Sequence, residues 1–96
     1  MNGMMGLAVR ARQAVTGTDA CSMMIEARKC GLLLLDESAG IHTRKRFESL
    51  CERTGTRIVI IPEGLLEKAT GSPGVTMAIR NGSFADQVTK LSAEDD

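Results

Sequence analysis

The sequence predicts an α/β protein, a three-layer α/β/α sandwich around a small mixed sheet. Two runs, Leu32–Leu35 and Arg57–Ile61, consist almost entirely of apolar residues. Apolar and polar residues do not alternate in them, so they do not have the pattern of a strand with one buried and one solvated face. Strands of this kind must be covered on both faces. The segments between such runs carry apolar residues at helical spacing, and the connections are short. A chain of 96 residues suits one core, so residues 1–96 are expected to form a single domain.

The first segments are interpreted as two helices. Gly3–Ala14 has apolar residues at helical spacing, and Gly17 ends that pattern. Thr18 or Asp19 offers a capping oxygen for a second helix, which is expected to run to about Lys29.

The middle of the chain predicts strand, helix and strand. The four leucines follow Gly31 and lead into an acidic end, which favours a buried strand over a helix. A helix from about Gly40 to Thr54 follows, and Gly55 occupies the position of a left-handed cap. The β-branched run RIVII is then the clearest strand.

The last third predicts a short helix, a third strand and a final helix. Pro62 is expected to start the short helix, and Gly71 to end it. The strand is VTMAI, residues 75–79, and a turn at Asn81-Gly82 follows it. The last helix is expected to have a capping box at Ser83 and Asp86, an apolar stripe at Phe84, Val88 and Leu91, and a frayed tail AEDD.

Composition restricts the functions that the chain can have. Twelve basic and twelve acidic residues cancel, and the pI is about 6.6, whereas a strong non-specific nucleic-acid binder is usually basic. The chain has no Trp or Tyr and only two Phe, so a stacking platform for single strands is not expected. Any RNA binding must therefore be recognition of a shape by a small local patch.

The apolar runs bear on the cellular compartment of the protein, and the cysteines bear on whether it binds a metal. No run approaches the roughly 20 apolar residues that span a bilayer, and the first residues lack the pattern of a signal peptide, so a cytoplasmic protein is expected. Cys21, Cys30 and Cys51 share no C-x-x-C spacing, and the chain has one histidine, so no metal site is expected. We predict that the three thiols are reduced and that at least two are buried.

The inventory of catalytic groups is small. His42 lies in a polar stretch and is interpreted as a surface or helix-start residue. Asp36, Glu37 and Ser38 cluster at a strand end, where α/β active sites often lie, but turn chemistry accounts for all three. The chain also has no phosphate-binding glycine motif, so we expect neither an enzyme nor a cofactor.

Basic residues and one helix face are the candidates for binding. The run Arg44–Arg46 is either a solvated helix face or a phosphate contact, and Arg10 and Arg12 are further candidates. At about 100° per residue, Met23 falls on the side of its helix that is opposite Cys21, beside Asp19, Ser22 and Glu26, so we predict that Met23 is exposed. An isolated exposed methionine needs no function, but this position can also provide a binding contact.

The ordered set of these motifs resembles a known family. The segments that carry the resemblance are G-L-A-V-R-A-R from Gly6 to Arg12, T-G-T-D, L-L-L-L-D-E-S-A, the basic run after Thr43, L-C-E-R, L-L-E-K-A-T-G, the S-P-G loop and V-T-M-A-I. Together they resemble the ribosomal proteins seven-Ae and thirty-e, which bind kink-turn RNA, and most closely the bacterial YlxQ-type branch. The resemblance extends from Gly3 to about Leu91.

The resemblance implies an α/β/α sandwich, no catalysis, and an RNA site made of two segments. Transferred by position, the site comprises Gly17, Thr18, Asp19, Ala20 and Met23 with Ser72, Pro73, Gly74 and Val75. Backbone N–H groups at a helix start suit phosphate, and a short apolar loop can cover splayed bases.

The chain departs from the family at the residues that carry strong binding. Strong binders have Asn-Glu and, three residues on, Lys, where this chain has Asp19, Ala20 and Met23. Asp19 cannot donate as Asn does, Ala20 has no hydrogen-bonding group, and Met23 lacks the cation. Glu67 also replaces the usual glycine of an L-G-K-A motif, a change that bears on packing.

Two functions therefore remain open. The first is a non-catalytic module that binds structured RNA, ribosomal or kink-turn, through a weakened recognition helix. The second is a relative that has lost RNA binding and works through a protein partner. Neither a membrane nor DNA is expected as a partner.

Overall fold

A computed structural model describes residues 11–71, 74–82 and 85–90 of the chain. Within these ranges the elements alternate between strand and helix. They are β1 (Ala14–Thr16), α1 (Thr18–Glu26), β2 (Cys30–Asp36), α2 (Ile41–Thr54), β3 (Arg57–Ile61), α3 (Leu65–Thr70), β4 (Thr76–Arg80) and the helical residues 85–90, here called α4.

The sheet is mixed, as predicted, and its strand order is β1-β4-β2-β3. β3 lies parallel to β2, while β4 lies antiparallel to both β1 and β2. β1, β2 and β3 therefore end at one edge of the sheet, where β4 begins. We call this the carboxyl edge, and we call the opposite end, where β1, β2 and β3 begin, the amino edge.

The four leucines lie in β2, a central strand that is covered on both faces. Leu32 and Leu34 pack into one core with residues of α3 and α4, and Leu33 and Leu35 pack into the other with residues of α1 and α2. All four are fully buried. Burial of a leucine side chain contributes about 1.5–3 kcal/mol, so this run stabilises both layers at once. The predicted three-layer α/β/α sandwich is confirmed.

The prediction for the first segment is wrong at its end. Ala14 belongs to β1 and not to a helix, and Arg12 has a left-handed backbone with φ 60°. Ala14 pairs with Ile79 and Thr16 with Met77, so this strand exists because β4 pairs with it. Three residues are too few for a periodicity to reveal a strand. Residues 3–10 of the predicted helix, including Arg10, lie outside the described residues.

Two helix starts also differ from the predictions. The N-cap of α1 is Gly17, and no side chain caps the helix, so the predicted capping by Thr18 or Asp19 is wrong. The helix ends at Glu26, three residues earlier than predicted. The short helix begins at Leu65 and not at Pro62, because Gly64 has φ 83° and serves as its N-cap.

Other predictions are confirmed. The helix that ends at Thr54 and the strand RIVII are α2 and β3, and Gly55 has the predicted left-handed backbone. Gly71 ends the short helix, as predicted, and its backbone is also left-handed. Val88 is fully buried, as expected for the last helix. Ser83, Phe84, Leu91 and the tail lie outside the described residues.

All three cysteines are free and buried, which confirms the prediction of reduced thiols with at least two of them buried. Desolvation raises the pKa of each thiol, to about 11 for Cys30 and for Cys51. Within the described parts of the chain, no helix combines the length and the apolarity that a membrane crossing requires.

Candidate functional site

The start of α1 lies at the carboxyl edge and is open to solvent. Gly17 has φ 92°, a value that side chains disfavour, and its carbonyl accepts the first helical hydrogen bond from Cys21 at 3.0 Å. Gly17, Asp19 and Ala20 are exposed, and Thr18 is half-buried. Since no side chain caps the helix, the first-turn N–H groups can donate to an external acceptor, and an anion suits them best.

The segment before β4 lies beside this helix start. Thr16 pairs with Met77, so Gly17 and the residues that precede β4 leave the sheet at the same edge. The carbonyl of Val75 accepts a hydrogen bond from the Asp36 amide at 2.8 Å, which fixes the segment to the end of β2. Val75 is half-buried and Gly74 is exposed.

The structure thus brings the two predicted segments to the same edge of the sheet. Of the nine predicted site residues, seven are described. Ser72 and Pro73 lie outside the described residues.

The exposed face of α1 carries Met23, as predicted. This side chain is 70% exposed, the largest value among the exposed large apolar residues that are described. Ser22, which the helical arithmetic placed on the same side, is buried instead, because the Arg46 guanidinium of α2 donates a hydrogen bond to its hydroxyl at 3.2 Å. The arithmetic could not foresee the neighbouring helix.

Asp36 organises the loops at this edge. Its carboxylate accepts hydrogen bonds from the Ser38 amide at 2.8 Å, the Ser38 hydroxyl at 2.6 Å and the Gly64 amide at 2.9 Å. The predicted turn chemistry is therefore confirmed for Asp36 and Ser38. Desolvation acts to raise the pKa of Asp36, but the bonds from Ser38 and Gly64 outweigh it, so the pKa lies below its ordinary value.

The link from Asp36 to Gly64, across 28 residues, was not foreseen from the sequence. The one signal that the sequence offers is an aspartate at a strand end with serine two residues later. That signal finds the local turn but not the second loop.

The carboxyl edge is acidic in the part of the chain that is described. Asp19, Glu37 and Glu63 are exposed there, and the segments 17–20, 36–40, 62–64 and 74–75 contain no Lys or Arg. Glu37 also accepts a hydrogen bond from the Glu63 amide at 3.1 Å. These carboxylates repel phosphate, so an anion at this edge must be held by N–H groups and by shape.

The three residues of the basic run of α2, Arg44–Arg46, have different surroundings. Arg44 forms an i,i+4 ion pair with Glu48 at 3.4 Å. Arg46 bonds Ser22 and lies 5.9 Å from the centroid of the Phe47 ring. Lys45 is exposed, and His42 is exposed in the first turn of the helix, as predicted. Arg46 supports the packing of α1 on α2 rather than a phosphate.

Comparisons with known proteins bear on the fold. No protein-family model and no curated protein matches the chain. A solved structure of a protein of unknown function from Bacillus halodurans C is similar with a TM-score of 0.88 and 26% identity, over 94% of this chain and 93% of that chain. The Giardia lamblia 15.5kD RNA binding protein is similar with a TM-score of 0.77 and 17% identity, over 96% of this chain and 84% of that chain.

These similarities extend over nearly the whole chain, so they concern the complete arrangement of layers and not one motif. The chain therefore shares the α/β/α fold of both proteins, which is the fold that the resemblance of its motifs implied.

Proposed function

We propose that this protein is a non-catalytic, cytoplasmic module that binds structured RNA of the kink-turn type through the carboxyl edge of its sheet. The proposed contacts are Gly17, Thr18, Asp19, Ala20 and Met23 of the α1 start, with Ser72, Pro73, Gly74 and Val75 before β4. The observation that carries the proposal is the uncapped, exposed start of α1 beside the segment before β4.

The chemistry of this edge supports a phosphate ligand. The first-turn N–H groups of α1 carry the positive end of the helix dipole and have no side-chain partner within the described chain. Gly17 and Gly74 have no heavy atom within 4 Å of the position of a Cβ, so a backbone can approach both closely. The similarity to a Giardia protein whose name states RNA binding supports the same class of ligand.

The proposed recognition is weak because the described loop segments of this edge contain no Lys or Arg. Met23 stands where strong binders of the family have lysine, and Asp19 adds a negative charge beside the helix start. One phosphate contact by a lysine changes the slope of log K against log salt by about 1. A lysine at position 23 would supply such a contact.

The test is a titration of the protein and of its Met23→Lys variant with a kink-turn RNA and with a plain RNA duplex. We expect the wild type to prefer the kink-turn, and Met23→Lys to strengthen that binding several-fold with a steeper salt dependence. The matched control is Gln87→Lys, which adds the same charge at an exposed position of α4, in the opposite layer.

Two results contradict the proposal. Equal binding of the kink-turn and the duplex by the wild type argues against specific recognition. An equal gain in affinity for Met23→Lys and Gln87→Lys argues against the assignment of the site, because charge alone would then account for the change.

A second function, contact with a protein partner in place of RNA, is favoured by the same surface. Met23 is 70% exposed, and the neighbouring loops carry exposed carboxylates and no described cation. If this function applies, a Met23→Asp variant loses a partner or a self-associated form that light scattering or co-purification detects in the wild type. RNA affinity would then be absent in both proteins.

A further inference from the structure

The amino edge of the sheet carries the opposite charge to the carboxyl edge. Arg80 ends β4, and its amide bonds the Gln13 carbonyl at 2.7 Å, while the next amide, that of Asn81, bonds the Lys29 carbonyl at 3.0 Å. These bonds bring the start of β1, the end of β4 and the start of β2 together. With the end of α2 and the start of β3, the segments form what we call the basic edge. Its cations are Arg12, Arg28, Lys29, Arg53, Arg57 and Arg80.

The cations of the basic edge are exposed, and they outnumber the carboxylates that lie near them in the chain. All six side chains are exposed. Glu26, Glu52 and Asp86 are near this edge in the chain, yet the sole ion pair within 4.0 Å among the described residues is Arg44–Glu48, on α2. The neutral total charge of the chain therefore conceals a separation of charge between the two edges.

The backbone supplies a second, independent observation. Arg12 has φ 60° and Arg28 has φ 58°, and they are the two non-glycine residues with positive φ in the described chain. Both belong to the basic edge. Arg28 follows the C-cap of α1, where glycine is the usual residue. Arginine at a left-handed position is less stable than glycine, so two strained positions carry a guanidinium where a smaller residue fits better.

The composition of the basic edge favours phosphate over a protein surface. Five of its six cations are arginine, whose planar guanidinium binds phosphate through two hydrogen bonds. Protein interfaces are centred on buried apolar anchors, but the exposed large apolar residues of the described chain are Met23, Ile41 and Ile60. None of these belongs to the segments that form the basic edge.

We infer that the basic edge binds the phosphate backbone of a second RNA segment, on the side of the sheet opposite the proposed recognition site. This inference rests on the proposed function, since it gives the same RNA ligand a second contact. The seven residues of β2 separate the two edges by about 20 Å, so the two contacts fall on separate segments of the RNA. One protein thus lies between two segments of a folded RNA. The basic edge supplies affinity without sequence preference, and the acidic carboxyl edge supplies recognition of shape.

The test compares the wild type with the double variant Arg12→Gly/Arg28→Gly. The two changes remove two charges and relieve both left-handed positions, so urea unfolding should show no loss of stability. The control Lys45→Gln/Lys68→Gln removes the same charge at exposed positions of α2 and α3, away from the basic edge. Each protein is titrated with a kink-turn RNA, a plain RNA duplex and polyglutamate, at about 50 and about 200 mM salt.

We expect the double variant to bind both RNAs roughly tenfold or more weakly at low salt, with a salt slope that is smaller by about 1 for each contact. The ratio of kink-turn to duplex affinity should stay at its wild-type value, and the control should change little. A double variant that binds both RNAs as the control does would overturn the inference and leave the proposed function standing.

The experiment also distinguishes a failure of the proposed function from a failure of the inference about the basic edge. Equal wild-type binding of the two RNAs, with the predicted loss in the double variant, supports the basic edge and counts against kink-turn recognition. Tighter wild-type binding of polyglutamate than of duplex RNA overturns the inference in favour of an acidic protein partner. A wild type that binds neither RNA overturns both proposals.

Discussion

Replacement of Asp36 by asparagine should destabilise the whole protein and not only a loop. The side chain is 3% exposed, and its two oxygens accept three hydrogen bonds, from two donors of Ser38 and from the Gly64 amide. Asparagine keeps one acceptor, so its NH2 group would face the Gly64 amide at the present 2.9 Å. A hydrogen bond to a charged group contributes about 1.5–3 kcal/mol, and a buried amide without a partner costs about 1–3 kcal/mol.

We therefore expect Asp36→Asn to lower the free energy of unfolding by about 2–3 kcal/mol near neutral pH, as measured by urea denaturation. The matched control is Glu37→Gln, next to Asp36 in the same turn. Glu37 is exposed and accepts one hydrogen bond, from the Glu63 amide at 3.1 Å. Its replacement should cost no more than about 0.5 kcal/mol.

The difference in the free energy of unfolding between the wild type and Asp36→Asn should depend on pH. The pKa of Asp36 in the folded protein is below its ordinary value of 3.8, because the bonds from Ser38 and Gly64 outweigh desolvation. The contribution of the carboxylate is therefore complete above about pH 3.8 and is lost as the pH falls through the folded pKa. The difference between wild type and Asp36→Asn should narrow in acid. A difference below about 0.5 kcal/mol at neutral pH would refute this reasoning, as would a difference that is unchanged in acid.

Two further predictions concern packing and thiol chemistry. Gly31→Ala should lower the free energy of unfolding by about 1–3 kcal/mol, because the new Cβ would lie 2.9 Å from the Ala85 Cβ and 3.0 Å from the Asn81 Cα. Gly74→Ala, with no heavy atom within 4 Å, is the matched control, and an equal loss in both would contradict the role of crowding. Burial raises the pKa of Cys30 to about 11 from 9.0, so stability should fall as alkaline pH passes 9.0, where the thiol ionises only in the unfolded chain. Urea denaturation of Cys30→Ala should show a weaker alkaline loss than the wild type, and an identical loss would exclude this cause.

The candidate site was predictable only in part. The resemblance assigned Gly17 and Gly74 to one site, and the pairing of Thr16 with Met77 explains why they lie at the same edge. The angular position of Met23 predicted its exposure, and among the described residues no element covers that side chain. The same arithmetic failed for Ser22, which α2 covers through Arg46. The helical spacing of residues predicts which side chains share a face of a helix, but it does not predict which neighbouring element covers that face.

The sequence alone determined the layers of this protein. A run of four leucines requires apolar cover on both faces, and helices that alternate with such strands can supply it. Gly55 and Gly71 likewise marked helix ends, because a left-handed residue is a local requirement.

Only the tertiary structure decided what depends on distant residues. β1 is a strand because β4 pairs with it, and Asp36 holds a loop that is 28 residues away. The separation of charge also depends on the strand order, which gathers Arg12, Arg28 and Arg80 at one edge of a chain whose total charge is zero. Composition sums charges over the chain, whereas a ligand meets them at the surface where the fold has placed them.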